Sequence, residues 1–218
     1  MARSKSSKAW MREHVTDQFV RTAARDGVRS RAAYKLREIN ERDKLIRRGM
    51  CIVDLGAAPG GWSQLVAPLV EPGGKVIALD ILDMEPIPNV EFIQGDFGEQ
   101  PVLDRLEQTL RGRGVDLVLT DMAPNISGVR STDQARWEYL AELAVDFSRR
   151  YLNPGGALLI KCFQGTGVDE LRRELGQLFD SLTVRKPEAS RDRSREFFLL
   201  ARGRKPGGVQ PASHGETV

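Results

Sequence analysis

The chain has 218 residues, of which 40% are hydrophobic and 29% charged, and its formal net charge is +3. This is the length of one domain with enough apolar residues to bury a core. It contains no apolar run of the roughly 20 residues that a membrane helix needs, and its N-terminal sequence MARSKSSKAWMREH lacks the apolar centre of a signal peptide. We therefore expect a cytoplasmic protein that does not associate with a membrane.

The charge is unevenly distributed along the chain. Residues 1–48 carry 14 Lys and Arg against 6 Asp and Glu, residues 49–184 carry 11 against 20, and residues 185–205 carry 8 against 3. Two basic segments thus flank an acidic middle. A charged run is usually only a solvated surface. Two Arg-rich segments at opposite ends nevertheless favour a polyanionic partner, because arginine pairs well with phosphate.

The first predicted element is a helix through residues 31–46, within a basic helical N-terminal extension that spans residues 1–48. Ser30 is its expected N-cap, and its apolar stripe consists of Ala32, Leu36, Ile39 and Ile46. Lys35 lies beside this stripe. It is either a surface lysine or a side chain that reaches over the edge of the following sheet.

From residue 51 onward, short apolar runs alternate with amphipathic segments. Strands are predicted at 51–55, 75–79, 90–93, 115–120 and 156–161, and helices at 62–70, 100–111, 133–151 and 168–179. Two more strands, 181–186 and 195–202, are joined by a short polar loop, so the last can enter antiparallel. The expected fold is α/β, a doubly wound and mostly parallel seven-stranded sheet ending in an antiparallel hairpin. Cys51 and Cys162 fall in strands and are expected to be buried, reduced thiols.

The ends of the predicted strands carry a glycine loop and a series of ionisable residues. Strand one leads into Gly56–Gly61, and the next four strands end in, or are followed by, Asp80, Asp96, Asp121 and Lys161. In open parallel sheets, ligands bind beyond the carboxyl ends of the strands. One Asp in such a place can simply form a turn or cap a helix. Five strand ends of this kind in succession indicate a ligand site.

The glycine loop, GAAPGG, favours a ligand without phosphates. It matches neither G-x-G-x-x-G nor the G-K-[ST] ending of a phosphate-binding loop, and Pro59 lacks a backbone donor that a pyrophosphate would use. Asp80 is placed to accept hydrogen bonds from ribose hydroxyls, and Asp96 from an adenine amino group. S-adenosylmethionine needs both contacts, and its positive charge suits an acidic pocket.

Five motifs in this chain resemble the FtsJ/RrmJ (RlmE) family of ribosomal RNA ribose 2′-O-methyltransferases. They are SRAAYKL, DLGAAPGGWSQ, DMAPNISG, LLIKCFQG and SREFFL, in that order, and the match extends over residues 5–203. The resemblance implies the Rossmann-like methyltransferase version of the fold, a single domain over residues 1–205 and S-adenosylmethionine as cofactor. It implies 23S rRNA of the large ribosomal subunit as the partner, with a uridine in the A-loop as the target. The Gly/Pro/Ser-rich tail 206–218 lies outside the match and is expected to be disordered.

The resemblance also implies roles for individual residues. The catalytic tetrad Lys-Asp-Lys-Glu of the family falls on Lys35, Asp121, Lys161 and Glu196. Together with Gly56 of the loop, the cofactor contacts fall on Gly60, Trp62, Asp80, Asp96 and Asp121.

In this chemistry Lys161 is the expected general base for the 2′-hydroxyl. A lysine in water is protonated at neutral pH, and a second ammonium nearby, Lys35, together with partial burial would favour the neutral form. Asp121 and Glu196 are expected to orient the lysines while partly opposing that effect. The chemistry needs no metal, and we expect a monomer.

Four alternatives stay open on the sequence alone. Enzymes that methylate tRNA or another RNA share the same tetrad. Amino-group methyltransferases often carry an Asn/Asp-Pro-Pro-aromatic motif, from which DMAPN at residues 121–125 departs. A non-catalytic ribosome-assembly factor could keep the fold, although it would not need the tetrad. A nicotinamide-dependent dehydrogenase is disfavoured by the glycine pattern.

Overall fold

A computed structural model describes residues 27–123, 127–190 and 194–207 of the chain. Residues 1–26, which make up most of the predicted basic helical extension, lie outside the described residues. So do residues 208–218, which make up most of the tail that is expected to be disordered. The helices within the described residues are all too short or too polar to cross a bilayer.

The described residues form one seven-stranded sheet in the order β3-β2-β1-β4-β5-β7-β6. The strands are β1 (Cys51–Leu55), β2 (Lys75–Asp80), β3 (Val90–Gln94), β4 (Val115–Thr120), β5 (Leu152–Phe163), β6 (Phe179–Arg185) and β7 (Glu196–Arg204). The first five strands are parallel, whereas β7 runs antiparallel to both of its neighbours, β5 and β6. The expected doubly wound sheet with an antiparallel end is confirmed.

Helices cover both faces of the sheet. They are α1 (Ala32–Asp43), α2 (Gly61–Val70), α3 (Gln100–Leu110), α4 (Arg130–Tyr151) and α5 (Val168–Leu178). The first two pack on one face, where Leu36 and Val66 join the alternate strand residues that point to that side. The other three pack on the opposite face, where Leu106 and Leu175 belong to a separate core. Alternation of side chains along the strands therefore divides most of the apolar residues between two cores, and a small third cluster contains Ala57, Ala78, Met84 and Ile87.

The beginning and the end of α1 differ from the sequence prediction. Arg31 occupies the N-cap position, and no side-chain hydrogen bond caps the helix there, so the predicted capping role of Ser30 is wrong. Ser30 instead accepts the backbone N–H of Ala33 through its carbonyl, at 3.2 Å. The helix ends at Asp43, because Lys44 adopts the left-handed conformation with φ 49°. Ile46 is still buried, but it reaches the core from the loop after the helix.

Strand β5 is longer than predicted at both ends. It begins at Leu152, before an exposed Pro-Gly stretch that lies outside the strand predicted at 156–161, and it ends at Phe163. Its pairing with β4 shifts register between Val115 and Leu117, which accommodates the additional residues. Lys161 therefore lies two residues before the end of the strand, not at the end itself.

Both cysteines are buried and unpaired, as predicted. Burial raises the pKa of Cys51 to about 11 and that of Cys162 to about 12. Neither thiol is therefore poised for nucleophilic chemistry at neutral pH.

Candidate active site

The structure brings together the four residues of the predicted tetrad, which come from four different parts of the fold. Lys161 of β5 pairs with Phe198 of β7, and Glu196 lies two residues before Phe198 on the same strand. Residues opposite one another or two apart share a face of the sheet, so Lys161 and Glu196 point to one side. This is the side covered by α1, which supplies Lys35. Asp121 follows directly after β4, the parallel neighbour of β5.

The tetrad forms two ion pairs. Lys35 Nζ lies 2.7 Å from Glu196 Oε1, and Lys161 Nζ lies 3.0 Å from Asp121 Oδ1. Lys161 Nζ also donates a hydrogen bond to the backbone carbonyl of Asp121. The side chains of the two lysines are only 9% and 7% exposed. Burial of an ammonium is costly unless it is paired, so the carboxylates hold the two lysines at this place.

The Glu196 carboxylate is affected by both lysines. Burial by itself raises its pKa, but the charge and hydrogen bond of Lys35 and the charge of Lys161 outweigh that effect. The pKa of Glu196 is therefore held below its usual value, and the residue is ionised at neutral pH. Two cations and two carboxylates thus form one electrostatic unit.

An aromatic layer lies beneath the tetrad. Phe198 is fully buried, and the Nζ atom of Lys35 lies 5.8 Å from the centre of its ring. Trp62 packs against the same ring with the centroids 5.8 Å apart. The indole N–H of Trp62 donates to the carbonyl of Ala32 at 2.7 Å, which ties α2 to the first turn of α1. This contact supports the helix that carries Lys35.

A cavity of about 990 Å³ opens beside the tetrad, beyond the carboxyl ends of the parallel strands. Four of the predicted cofactor contacts line it: Gly56, Asp80, Asp96 and Asp121. Its size is that of a small-molecule site. Since Asp121 also pairs with Lys161, the cavity and the tetrad share a wall. Its remaining lining comes from the first half of α4 and from the loops that follow β1, β2, β3 and β4.

The other two predicted contacts, Gly60 and Trp62, do not line this cavity. Trp62 is 3% exposed and belongs to the core described above. Gly60 has φ 97°, and a Cβ there would come within 2.7 Å of the Ile87 and Met84 side chains. Glycine is thus required at residue 60 for close packing of the loop after β2. A cofactor contact at either residue stays a prediction.

Gly56 is required on the cavity side of the loop. Its φ is 74°, and a Cβ would lie 2.1 Å from Cγ of Met122, which lines the same cavity. A side chain at residue 56 would therefore be strained and would displace Met122. The absence of a Cβ keeps this part of the cavity open.

Asp80 and Asp96 also have structural roles. Asp80 accepts the backbone N–H groups of Ala58 and Leu82, both at 2.8 Å, and Asp96 accepts that of Gly98 at 2.9 Å. The contacts to Leu82 and Gly98, each two residues further along the chain, are those of ordinary turn-forming residues, whereas the contact to Ala58 joins the end of β2 to the glycine loop. A carboxylate has about four acceptor positions, so both residues can still accept hydrogen bonds from a ligand in the cavity.

Two further groups near the site were not anticipated from the sequence. Asp54 in β1 is 2% exposed and accepts the Ser63 hydroxyl at 2.7 Å. Burial, to which the nearby charges of Asp121 and Asp80 add, raises its pKa to about 7 despite the hydrogen bond from Ser63. The signal for it was a carboxylate inside the apolar run CIVDL.

The second group is Trp137 of α4, whose indole N–H donates to the backbone carbonyl of Lys161 at 3.1 Å. This bond fixes the strand at the residue that carries the lysine. A single tryptophan within a helix gave no sequence signal for this contact. Across residues 27–123, 127–190 and 194–207, no group of three or more His, Cys, Asp or Glu side chains could hold a metal ion.

Residues 28–204 match the family described as FtsJ-like methyltransferase. The chain belongs to this methyltransferase family. The match confirms the resemblance that the five motifs indicated.

Similar proteins cover almost the whole chain. A ribosomal RNA large subunit methyltransferase E from Chromobacterium violaceum is 57% identical over 205 residues, which cover 94% of this chain and 100% of the relative. A protein of the same name from Pseudomonas aeruginosa is 55% identical over 203 residues, covering 93% and 98%. A solved structure described as a ribosomal RNA methyltransferase from Plasmodium falciparum has a TM-score of 0.72 at 30% identity, covering 81% of this chain and 98% of that one.

Proposed function

We propose that this enzyme transfers a methyl group from S-adenosylmethionine to a ribose 2′-hydroxyl of 23S rRNA in the large ribosomal subunit, in the cytoplasm. The target that the family resemblance favours is a uridine of the A-loop. The observation that carries the proposal is the shared wall at Asp121, where an acidic cavity meets a buried pair of lysines. The names of the two bacterial relatives support large-subunit rRNA as the substrate.

The glycine loop supports S-adenosylmethionine over a dinucleotide. A pyrophosphate needs free backbone N–H groups, but the loop uses its own N–H groups internally. Gly56 and Ala57 donate to the carbonyl of Leu79, Ala58 donates to Asp80, and Gly60 donates to the carbonyl of Ala57. Pro59 has no N–H, so of the six loop residues only Gly61, the first residue of α2, has an N–H left for a phosphate among the described contacts. Three carboxylates in the cavity lining favour a cationic ligand.

The tetrad supplies the groups that this reaction requires. When bound, S-adenosylmethionine supplies an electrophilic methyl group on a positively charged sulfur. In its neutral form, after loss of its own proton, Lys161 accepts the proton of the 2′-hydroxyl at its Nζ atom as the oxygen attacks. Asp121 fixes the direction of Nζ through its carboxylate and its carbonyl. Lys35 and Glu196 form the other side of the site and hold the ribose for in-line attack.

The first prediction concerns the product. Ribose methylation mapped across the rRNA of cells with and without this protein should differ at one nucleotide of the large subunit. Expression of the parental protein should restore the mark. A methylation map that is identical in both cells would contradict the proposed substrate, and a lost mark on tRNA would reassign the enzyme to that RNA.

The second prediction concerns the cofactor. Asp80→Ala should weaken the binding of S-adenosylmethionine and of its demethylated product about 10- to 150-fold, because each hydrogen bond to a charged acceptor contributes about 1.5–3 kcal/mol. Titration calorimetry measures both ligands. Asp83→Ala is the matched control, since Asp83 lies in the same loop but outside the cavity lining. Tight binding of NAD, together with no binding of either of these two ligands, would refute the assignment.

A further inference from the structure

A second cavity, of about 670 Å³, lies at the end of the sheet where the parallel strands begin, opposite the end that carries the tetrad. It is formed where β1, β4 and β5 begin, and Ala157 of β5 lines it. Ala157 and Lys161 are four residues apart on one strand, which separates the cavity from the tetrad by about 13 Å. The two sites therefore cannot share one small ligand.

The lining of this second cavity is strongly basic. It contains four cationic side chains, Lys44, Arg47, Arg48 and Arg202, against one carboxylate, Asp116. Asp116 accepts the N–H of Cys51 at 2.8 Å and the amide of Asn153 at 2.9 Å. These neutral donors orient Asp116 towards the strands, and it pairs with none of the four cations.

Asp43, a carboxylate near the cavity, forms its ion pair with a residue outside the lining. Arg185 Nη2 lies 2.5 Å from Asp43 Oδ1. The hydrogen bond and charge of Arg185, with a smaller contribution from the charge of Arg202, hold the pKa of Asp43 below its usual value despite some desolvation. Arg202 donates its hydrogen bond to the backbone carbonyl of Asp43 and forms no ion pair with its carboxylate.

Two of the four cations, Lys44 and Arg47, are fully available to a ligand, and Arg48 and Arg202 are available in part. Lys44 and Arg47 are exposed, and their side chains form no hydrogen bond or ion pair with any residue that the structure describes. Arg48 is held by one bond from Nε to the carbonyl of Glu71, at 2.8 Å. Nε of Arg202 is buried and has no hydrogen-bond partner in the described part of the chain. Such an orphaned donor is costly unless a ligand or water satisfies it.

Pro154, Gly155 and Gly156 form part of the lining. The space at Gly155 is open, because a Cβ added there would meet nothing within 4 Å, whereas one at Gly156 would lie 2.9 Å from the carbonyl of Asn153. A sugar-phosphate backbone can therefore approach the surface without steric hindrance. Guanidinium groups bind phosphate oxygens in bidentate fashion.

We infer that this basic cavity binds phosphodiester groups of RNA at a second place on the substrate particle, remote from methyl transfer. The inference rests on the proposed function for the identity of the RNA. It also joins the two basic segments noted in the sequence, because residues 44–48 belong to the first and Arg202 to the second. Four cations around an open surface suit a chain of phosphates better than one small anion.

The third prediction tests this inference with paired variants. Lys44→Gln combined with Arg47→Gln should weaken binding to large-subunit particles about tenfold at physiological salt. It should also make the slope of log affinity against log salt shallower by about 1.4–1.8, for two lost phosphate contacts. S-adenosylmethionine affinity and the rate at saturating particle should not change. Arg105→Gln combined with Arg173→Gln removes the same charge from exposed residues outside the cavity, and it should leave binding as in the parental protein.

A crosslinking experiment tests the same inference without weakening the site's other cations. Arg47→Cys can be labelled selectively with a photoactivatable thiol reagent, because both native cysteines are buried. It should crosslink to rRNA in the particle, whereas Arg173→Cys should not.

The inference would be overturned if the Lys44/Arg47 double variant bound particles as tightly as the parental protein does. It would also be overturned if the control double variant lost as much affinity. Binding of inorganic phosphate at this cavity without any effect of the pair on RNA affinity would overturn it as well. If the parental protein methylates the particle and the pair has no effect, only this inference fails. If the pair weakens particle binding but the parental protein does not methylate rRNA, the proposed function fails and the RNA-binding surface stands.

Discussion

Replacement of Lys161 by alanine should abolish methyl transfer while leaving S-adenosylmethionine binding nearly intact. The Nζ atom is the proposed proton acceptor, and the cavity lining includes Asp121 but not Lys161 itself. Lys161→Arg should be almost as inactive, because a guanidinium group does not give up its proton at working pH. The loss should therefore appear in the rate of the chemical step and not in the affinity for the cofactor.

Single-turnover transfer of labelled methyl groups to ribosomal particles, run beside calorimetry, separates these two quantities. Lys75→Ala is the matched control. Lys75 is also a strand lysine, which pairs with Glu91 at 2.9 Å and donates to the carbonyl of Thr109 at 2.6 Å. It lies at the start of β2, at the opposite end of the strands from the tetrad, and its replacement should leave the rate unchanged. Transfer by Lys161→Ala at the parental rate would disprove the assigned base.

Replacement of Asp121 by alanine should impair both cofactor binding and methyl transfer. The residue lines the cavity and also supplies the carboxylate partner of Lys161. Its removal leaves a nearly buried ammonium without its carboxylate, which costs about 3 kcal/mol of stability. We therefore expect a lower thermal unfolding midpoint, weaker S-adenosylmethionine binding and a turnover reduced by at least about 100-fold, as for lost positioning of a general base.

Asp116 offers a control on β4, the strand that Asp121 directly follows. It is a partly buried carboxylate at the beginning of β4, with two hydrogen bonds of its own. Asp116→Ala should lower stability without changing cofactor affinity or the rate at saturating particle. If Asp121→Ala bound S-adenosylmethionine as tightly as the parental protein, the proposal that Asp121 serves both the cofactor cavity and the tetrad would be contradicted.

Much of the sheet could be predicted because its signals are local. The runs CIVDL and VDLVLT give β1 and β4 with the bounds that the structure shows. The errors in the predicted bounds and caps arise where tertiary contacts determine where an element begins or ends. The first residues of β5 pair with β4 across a register shift that the sequence does not reveal. The cap of α1 depends on the path by which the chain enters the helix, so a serine in a suitable position was not sufficient.

The candidate site divides in the same way. Asp80, Asp96 and Asp121 could be grouped from the sequence, because the carboxyl ends of parallel strands meet at one edge. Lys35 could not be distinguished from a surface lysine by its neighbours in the sequence. Its burial follows from the packing of α1 against Phe198 and from the carboxylate of Glu196, which is distant in sequence. The basic cavity likewise needs the fold, because it joins residues 44–48 to Arg202.

The position of β7 links the completion of the sheet to the completion of the tetrad. Among the described strands, β7 lies between β5 and β6, and its first residue is Glu196. Until β7 has inserted, β5 has an unpaired edge, β6 has no neighbour in the sheet, and Lys35 lacks its carboxylate partner. The closing of the sheet and the completion of the tetrad are thus one event. A partly folded chain whose sheet is still open therefore lacks a complete tetrad.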